Sequence, residues 1–360
     1  MRQTRRLILA LGLFIVQIVT YYLLRFFPAF VETFYSTGIY PYLSSASRWV
    51  TGWIPFSLGD LVYAGVIILA LRWLWRSKME LISLSRKRYT QLFTTLNIVL
   101  FFFHAAWGFN YYRQPLHKSL ELKADYTTQE LAQTIRYFKD ESNKLHSKLQ
   151  PVDSLPVPFT ESQKDLFKAA PSGYENLSKE YPHLDYNNLS AKKSLLTLPL
   201  SYMGYSGYLN PFTGEAQTNA YINNYKTPVL TLHEMAHQLG YAKENEANFI
   251  AILAGTAHND PFFKYSASIF ALRYCLNDLY RRDPELYKTI SEGVRPGIYA
   301  NYQELRDFWK SYEGSIVEEV SQATYNTYLK ANNQPGGMET YSYVVALLVN
   351  YYSSSNNSAP

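Results

Sequence analysis

The chain has 360 residues, 47% of them hydrophobic, with 34 Lys and Arg against 29 Asp and Glu for a formal net charge of +5. Its single cysteine, Cys275, excludes an intramolecular disulfide and a cysteine-built zinc site. The basic residues cluster beside apolar runs in the first third and form no run of their own later, so the pattern carries no sign of a nucleic-acid partner.

Residues 7–27 are the first predicted membrane span, because about 20 apolar helical residues cross a hydrocarbon core. A signal peptide also begins basic and turns apolar, but Tyr21, Tyr22 and Arg25 stand where small cleavage-site residues belong. A second span is predicted over 54–75, with Asp60 and Arg72 near its ends, where snorkelling relieves a charge. A third is predicted over 92–112, "LFTTLNIVLFFFHAAWGFNYY", in which Trp107, Tyr111 and Tyr112 suit the aromatic belt of a membrane interface. His104 lies inside it, a polar group of the kind that often has a function at membrane depth, although a neutral histidine near the interface is equally acceptable there.

Orientation follows from the short connections. Arg2, Arg5 and Arg6 precede the first span, and Arg76, Lys78, Arg86, Lys87 and Arg88 lie between the second and third, so both places are expected in the cytoplasm. The 28–53 connection has only Arg48 and is expected outside, as is everything after Arg113. The chain thus divides into a membrane anchor, 1–113, and an extracytoplasmic domain, 114–360.

In that domain, Thr127 and Glu130 make a capping box ahead of an amphipathic helix over 126–149. Prolines at 151, 156, 158, 171 and 182 break the stretch 150–195 into loops and short helices. Alternation over 216–222 predicts a short strand with one polar face. A helix is predicted from about Val229 to a C-cap at Gly240, and a second over about 243–257. Further helical stretches are expected over about 264–281, 300–331 and 341–352, giving a mainly α (α+β) domain with a small β-sheet.

The chemistry lies in "HEMAHQLGYAKENEANF", residues 233–249. His233 and His237 are one turn apart, so both imidazoles can meet one Zn²⁺ at about 2.0–2.1 Å. Glu234 beside them has the position of a general base for zinc-activated water. A third protein ligand is still needed, and the Gly240 turn lets the next helix return a carboxylate. Glu244 is favoured, since it shares a face with Asn248, which can support a histidine from behind. Glu246 points about 200° away and is the alternative.

The HEMAH and E-x-x-A-N strings resemble the gluzincin-type zinc metallopeptidases. That resemblance implies metal ligation by His233, His237 and Glu244, a catalytic Glu234, and Asn248 as the helix partner. The metzincin string also matches until its last position, where Lys243 replaces a histidine and offers no lone pair. Across nearly the whole chain, "PFSLGD", "GFNYYR", "GYLNPFTGEAQTN" and "YSYVVALLVNYY" resemble an uncharacterised bacterial membrane family, domain of unknown function 3810. This implies a zincin-like domain outside the cytoplasmic membrane and brings no known substrate.

The strand at 216–222 lies where zincins place the edge strand that pairs with substrate; an ordinary edge strand reads the same way. Tyr205, Tyr208, His258 and Tyr341 are candidate donors to an oxyanion, although in a chain of 33 tyrosines packing is the ordinary role. Phe308 and Trp309 read as core. The expected function is a membrane-anchored zinc metallopeptidase acting on a peptide or protein substrate of the envelope or membrane surface. A non-catalytic zinc-binding module and a zinc hydrolase of another amide, such as a cell-wall peptide, are the alternatives.

Overall fold

In the computed structural model, residues 2–83, 85–222, 224–334 and 343–356 are described. The chain starts with α1 (Arg2–Leu24), then turns through α2 (Pro28–Val31) and a π-helical stretch, Glu32–Ile39, into α3 (Tyr40–Gly52). Two long helices follow, α4 (Leu58–Ile82) and α5 (Arg86–Ala106), and a 3₁₀ turn over Gly108–Tyr112 leads into α6 (Leu116–Ser119). Among the described residues, Arg2–Leu24 and the Leu58–Glu80 part of α4 are long and apolar enough to cross a membrane. Their side chains are largely uncovered by the rest of the protein.

α5 is not among those two helices. It runs beside α1 in the same direction, with Asn97 Nδ2 donating to the Ala10 carbonyl at 2.9 Å, Phe93 against Phe14 and His104 stacked on Tyr21. The expected third span also ends early. Trp107, Tyr111 and Tyr112 are buried in a cluster with Tyr40 and Ala242 rather than set out as an interface belt. An aromatic with one polar atom serves a protein interior as well as a headgroup layer when that atom finds a partner, and Trp107 Nε1 donates to the His237 carbonyl at 3.2 Å.

The remaining helices are α7 (Thr128–Leu149), α8 (Gln163–Ala169), α9 (Pro171–Leu177), α10 (Thr197–Tyr202), α11 (Lys226–Gln238), α12 (Glu244–Ala257), α13 (Pro261–Arg282), α14 (Pro284–Ser291), α15 (Pro296–Lys310), α16 (Ile316–Ala331) and α17 (Val344–Asn356). The capping box forms as read: the Thr127 side chain accepts from Glu130 N, and Glu130 accepts from Thr127 N. The stretch expected as one helix over 300–331 is two, because Gly314 takes a φ of +75° and Ser315 caps α16. α14 was not anticipated; Asp283 caps it and Pro284 opens it.

α11 and α12 lie at the centre. Every side chain from Thr227 through Gln238 is buried, as are those from Glu246 through Gly255; α8, α9, α13 and α17 pack on them, and α7 lies behind α13 and α17. Gly240 joins the pair at φ +89°; a Cβ there would sit 2.9 Å from Tyr40 Cε1 and 3.0 Å from Asn110 Oδ1. The turn therefore needs glycine on both conformational and steric grounds.

The sheet has three strands, β1 (Ala191–Lys193), β2 (Gly207–Leu209) and β3 (Ala216–Thr218), in the order β1-β3-β2. β1 runs parallel to β3 and β2 antiparallel to it. The strand expected over 216–222 is thus shorter and central, buried on both faces, and the edge strands are β1 and β2. A polar network ties this sheet to α4. Glu215 accepts from Leu58 N at 3.0 Å and Gly59 N at 2.5 Å while pairing with Lys192 Nζ at 3.0 Å. Asp60 accepts from Leu195 N at 2.7 Å, Ser194 Oγ at 3.0 Å and the Tyr208 hydroxyl. Contacts also bridge residue 113: Ser44 Oγ donates to the Gln238 carbonyl at 2.6 Å, and Arg113 pairs with Glu32 at 2.6 Å and donates to the Gly240 carbonyl at 2.9 Å.

Candidate metal centre

α11 presents His233 and His237 on one face, and the Gly240 turn brings the first residue of α12, Glu244, back to them. Glu244 Oε2 lies 3.1 Å from His233 Nε2 and 3.6 Å from His237 Nε2. Bonds of about 2.0–2.1 Å in a tetrahedral shell set ligand atoms about 3.3 Å apart, so these separations fit one small cation. Among the described residues, His233, His237 and Glu244 form the one group of three such side chains placed to hold a metal ion, and all three are buried.

The atoms behind the ligands fit that reading. His237 Nδ1 lies 2.7 Å from the Tyr241 carbonyl, an arrangement in which Nδ1–H donates and Nε2 keeps its lone pair for the centre. The Tyr325 hydroxyl, from α16, donates to Glu244 Oε1 at 2.6 Å, leaving Oε2 turned to the histidines. Asn248 lines the cavity, but no hydrogen bond joins it to either histidine among the described residues, and its Nδ2 is buried without a partner. The support expected from Asn248 comes from Tyr325 and the Tyr241 carbonyl instead.

Glu246 is directed elsewhere. Its Oε1 accepts from Leu116 N at 2.9 Å and faces Lys243 Nζ at 3.5 Å, tying α6 to α12.

Charge is finely balanced in this pocket. Burial disfavours a charged His237, but the facing Glu244 carboxylate outweighs it and lifts the imidazole to about 9. Burial likewise opposes a charged Glu244, yet the histidines hold it well below the usual carboxylate range. For Glu234 burial outweighs the nearby His237 and Lys226 charges and pushes it up to about 8, and among the described residues its Oε2 makes no hydrogen bond. Burial, aided by Arg273, lowers Lys226 to about 8, and its Nζ donates to Ser206 Oγ at 2.7 Å.

These groups line a mostly apolar cavity of about 870 Å³. Its walls come from α4 and α5 (Tyr63, Ile67, Phe103), from β2 and the residues before it, from Lys226 at the start of α11, and from Tyr325 and Tyr328 of α16. Gly207 lets β2 reach the site, since a Cβ there would lie 2.7 Å from both Glu234 Oε1 and the Gln217 carbonyl.

The expected oxyanion donors separate. Tyr205 lines the cavity, its hydroxyl accepting from Ser321 Oγ at 2.9 Å. Tyr208 also lines it but commits its hydroxyl to Asp60. His258 is structural: Nε2 lies 2.9 Å from the Ala169 carbonyl, Nδ1 accepts from Asp260 N, and the ring stacks on Phe263. Tyr341 lies outside the described residues. Lys226, Tyr325, Trp107 and Tyr40 were missed; only Lys226 carried a local signal, since positions 226, 230, 233 and 237 share a helical face.

A family model described as "Protein of unknown function (DUF3810)" matches residues 35–349. No curated protein matches the chain, and no solved structure does.

Proposed function

The chain belongs to that family of unknown function, and from its buried two-histidine, one-carboxylate centre we propose a membrane-anchored, zinc-dependent metallopeptidase. The ligand set of His233, His237 and Glu244 suits zinc, which takes nitrogen and carboxylate ligands and leaves a fourth position open in catalytic sites. When bound, such a metal supplies Lewis-acid polarisation and lowers the pKa of water at that position.

The observation that carries the catalytic reading is Glu234. It is a buried carboxyl beside the three ligands, not one of them, with an unpartnered oxygen and a pKa of about 8. A structural zinc module has no use for such a group, whereas a hydrolase needs it to take a proton from the attacking water and pass it to the leaving amine. Nearby positive charge lowers this value, favouring the ionised base. Lys226 and Tyr205 are the cavity groups best suited to donate to a developing oxyanion. The half-exposed edge of β2 beside Glu234 favours an extended polypeptide over a small amide, because main-chain bonding can run along it.

The anchor reading rests on the two apolar helices and on charge. α1 and α5 both finish, and α4 begins, on the side of the metal centre, while Arg2, Arg5, Arg6, Arg76, Lys78 and Arg86 lie toward their other ends. By the positive-inside rule the centre faces the outer side of a cytoplasmic membrane, with three membrane helices.

The test uses the full chain in detergent micelles: elemental analysis for zinc, then cleavage of a broad peptide library by wild type and Glu234→Gln. The expected result is one zinc per chain and turnover that the substitution removes. Bound zinc without Glu234-dependent turnover would identify a binding module, and a zinc-free protein would sink the centre itself.

A further inference from the structure

The cavity over the metal centre has an unusual wall. Tyr63 and Ile67 belong to α4, a helix apolar and uncovered enough to cross a membrane, and they line the same space as His233 and Glu234. No linker separates that helix from the site, since Glu215 beside β3 accepts from Leu58 N and Gly59 N, and the helix's own Asp60 accepts from Leu195 N. Ile67 is nine residues beyond Leu58, about 13 Å along a helix axis. The uncovered stretch of α4 therefore begins beside the cavity.

The rest of the mouth continues that apolar surface. Phe212 packs its ring on Tyr63. Leu195, bonded through its N–H to Asp60, is 55% exposed, and Leu198 follows on α10. α10 is joined to α16 by Tyr202, whose carbonyl accepts from Ser315 Oγ and whose ring meets Tyr312. There Ile316 is 79% and Val320 61% exposed, with Val317 beside them. Glu318 and the exposed Glu319 stand between Val317 and Val320, and from Val320 to Thr327 the helix bears no charge. Exposed apolar side chains gathered on a protein surface need an occupant, and here they lie on elements tied to a candidate membrane helix.

We propose that α10 and the start of α16 dip into the outer leaflet beside α4, and that the cavity opens sideways to the bilayer. The substrate is then a membrane-inserted polypeptide, cut where its apolar segment leaves the lipid and its chain extends along β2. The substrate half of this inference rests on the peptidase reading; the membrane-facing mouth does not.

The experiment uses the full chain in lipid nanodiscs. Leu198→Cys, Val320→Cys and, on α14, which packs on α13, the exposed Thr289→Cys are each labelled with a small fluorophore; native Cys275 is fully buried and leaves the label to the introduced thiol. Brominated lipids are expected to quench 198 and 320 but not 289. On Glu234→Gln protein in the same nanodiscs, a fluorescent single-span peptide with a polar flank is compared with the flank alone, the spanning form binding on the order of 10-fold tighter or more. Unquenched labels at 198 and 320, or no preference between the two peptides, overturns the proposal. If wild type holds the spanning peptide without cutting it, the peptidase reading fails while the membrane-facing mouth stands.

Discussion

Tyr325 on α16 holds one oxygen of Glu244 at 2.6 Å, while the other oxygen of that carboxylate faces both His233 and His237. A residue 81 positions away thus fixes the rotation of the candidate third ligand. Tyr325→Phe keeps the ring against Tyr205 and Tyr328 and removes only the donor. Zinc affinity should fall about 10- to 100-fold, the usual effect of losing such a supporting bond, with secondary structure unchanged. Chelator competition followed by circular dichroism checks both halves.

Glu244→Gln and Glu246→Gln should separate function from stability. The first is expected to abolish stoichiometric zinc. The second should keep zinc but weaken the contacts to Leu116 N and Lys243, costing about 1–3 kcal/mol as for a buried hydrogen bond to a charged group. Elemental analysis and thermal melts distinguish them; equal zinc loss in both would mean that the ligand has been misassigned.

The pH dependence has a definite sign. In the metal-free protein His237 titrates near 9 against an ordinary value of 6.5, so the stability it contributes is fully present below 6.5 and lost as pH rises through 9. Glu234, raised from 4.5 to about 8, acts in the same sense. Glu244, lowered, contributes above 4.5 and loses its contribution in acid. Because zinc needs a deprotonated imidazole, binding at pH 8 should release about one proton from His237, and affinity should drop about 10-fold per pH unit below 9. Calorimetry in buffers of different ionisation enthalpy reads the proton. The melting-temperature gap between zinc-loaded and chelated protein should widen from pH 6.5 to 9.

Gly207→Ala should strike substrate handling rather than metal. The added methyl meets Glu234 Oε1 and the Gln217 carbonyl at 2.7 Å, so β2 must retreat from the site. Turnover is expected to fall about 100-fold, the scale of a misplacement near 1 Å, with zinc content unchanged by elemental analysis. Retained activity would remove β2 from the catalytic reading.

The local part of this site was legible in the sequence because a helix imposes its own geometry. The four-residue spacing of His233 and His237, the Gly240 turn and the 200° separation of Glu244 from Glu246 all follow from 3.6 residues per turn and from the left-handed backbone that glycine tolerates. Those rules also gave the capping box at Thr127 and the central α11 and α12. They failed at Trp107, Tyr111 and Tyr112, where composition alone does not distinguish a lipid headgroup layer from a protein interior. They failed again at β3, whose alternation says nothing about which neighbours pair with it.

What the sequence by itself determined is therefore the helix carrying His233 and His237, its turn, and the opposed directions of Glu244 and Glu246. What the tertiary structure decided is everything that arrives from far along the chain: Tyr325 on the carboxylate, Trp107 and Tyr40 on the α11 carbonyls, β2 beside Glu234, and α4 as a wall of the cavity. The physical reason is that side-chain period encodes which face of an element is buried, whereas the partner it is buried against is set by chain topology, and no local spacing records it.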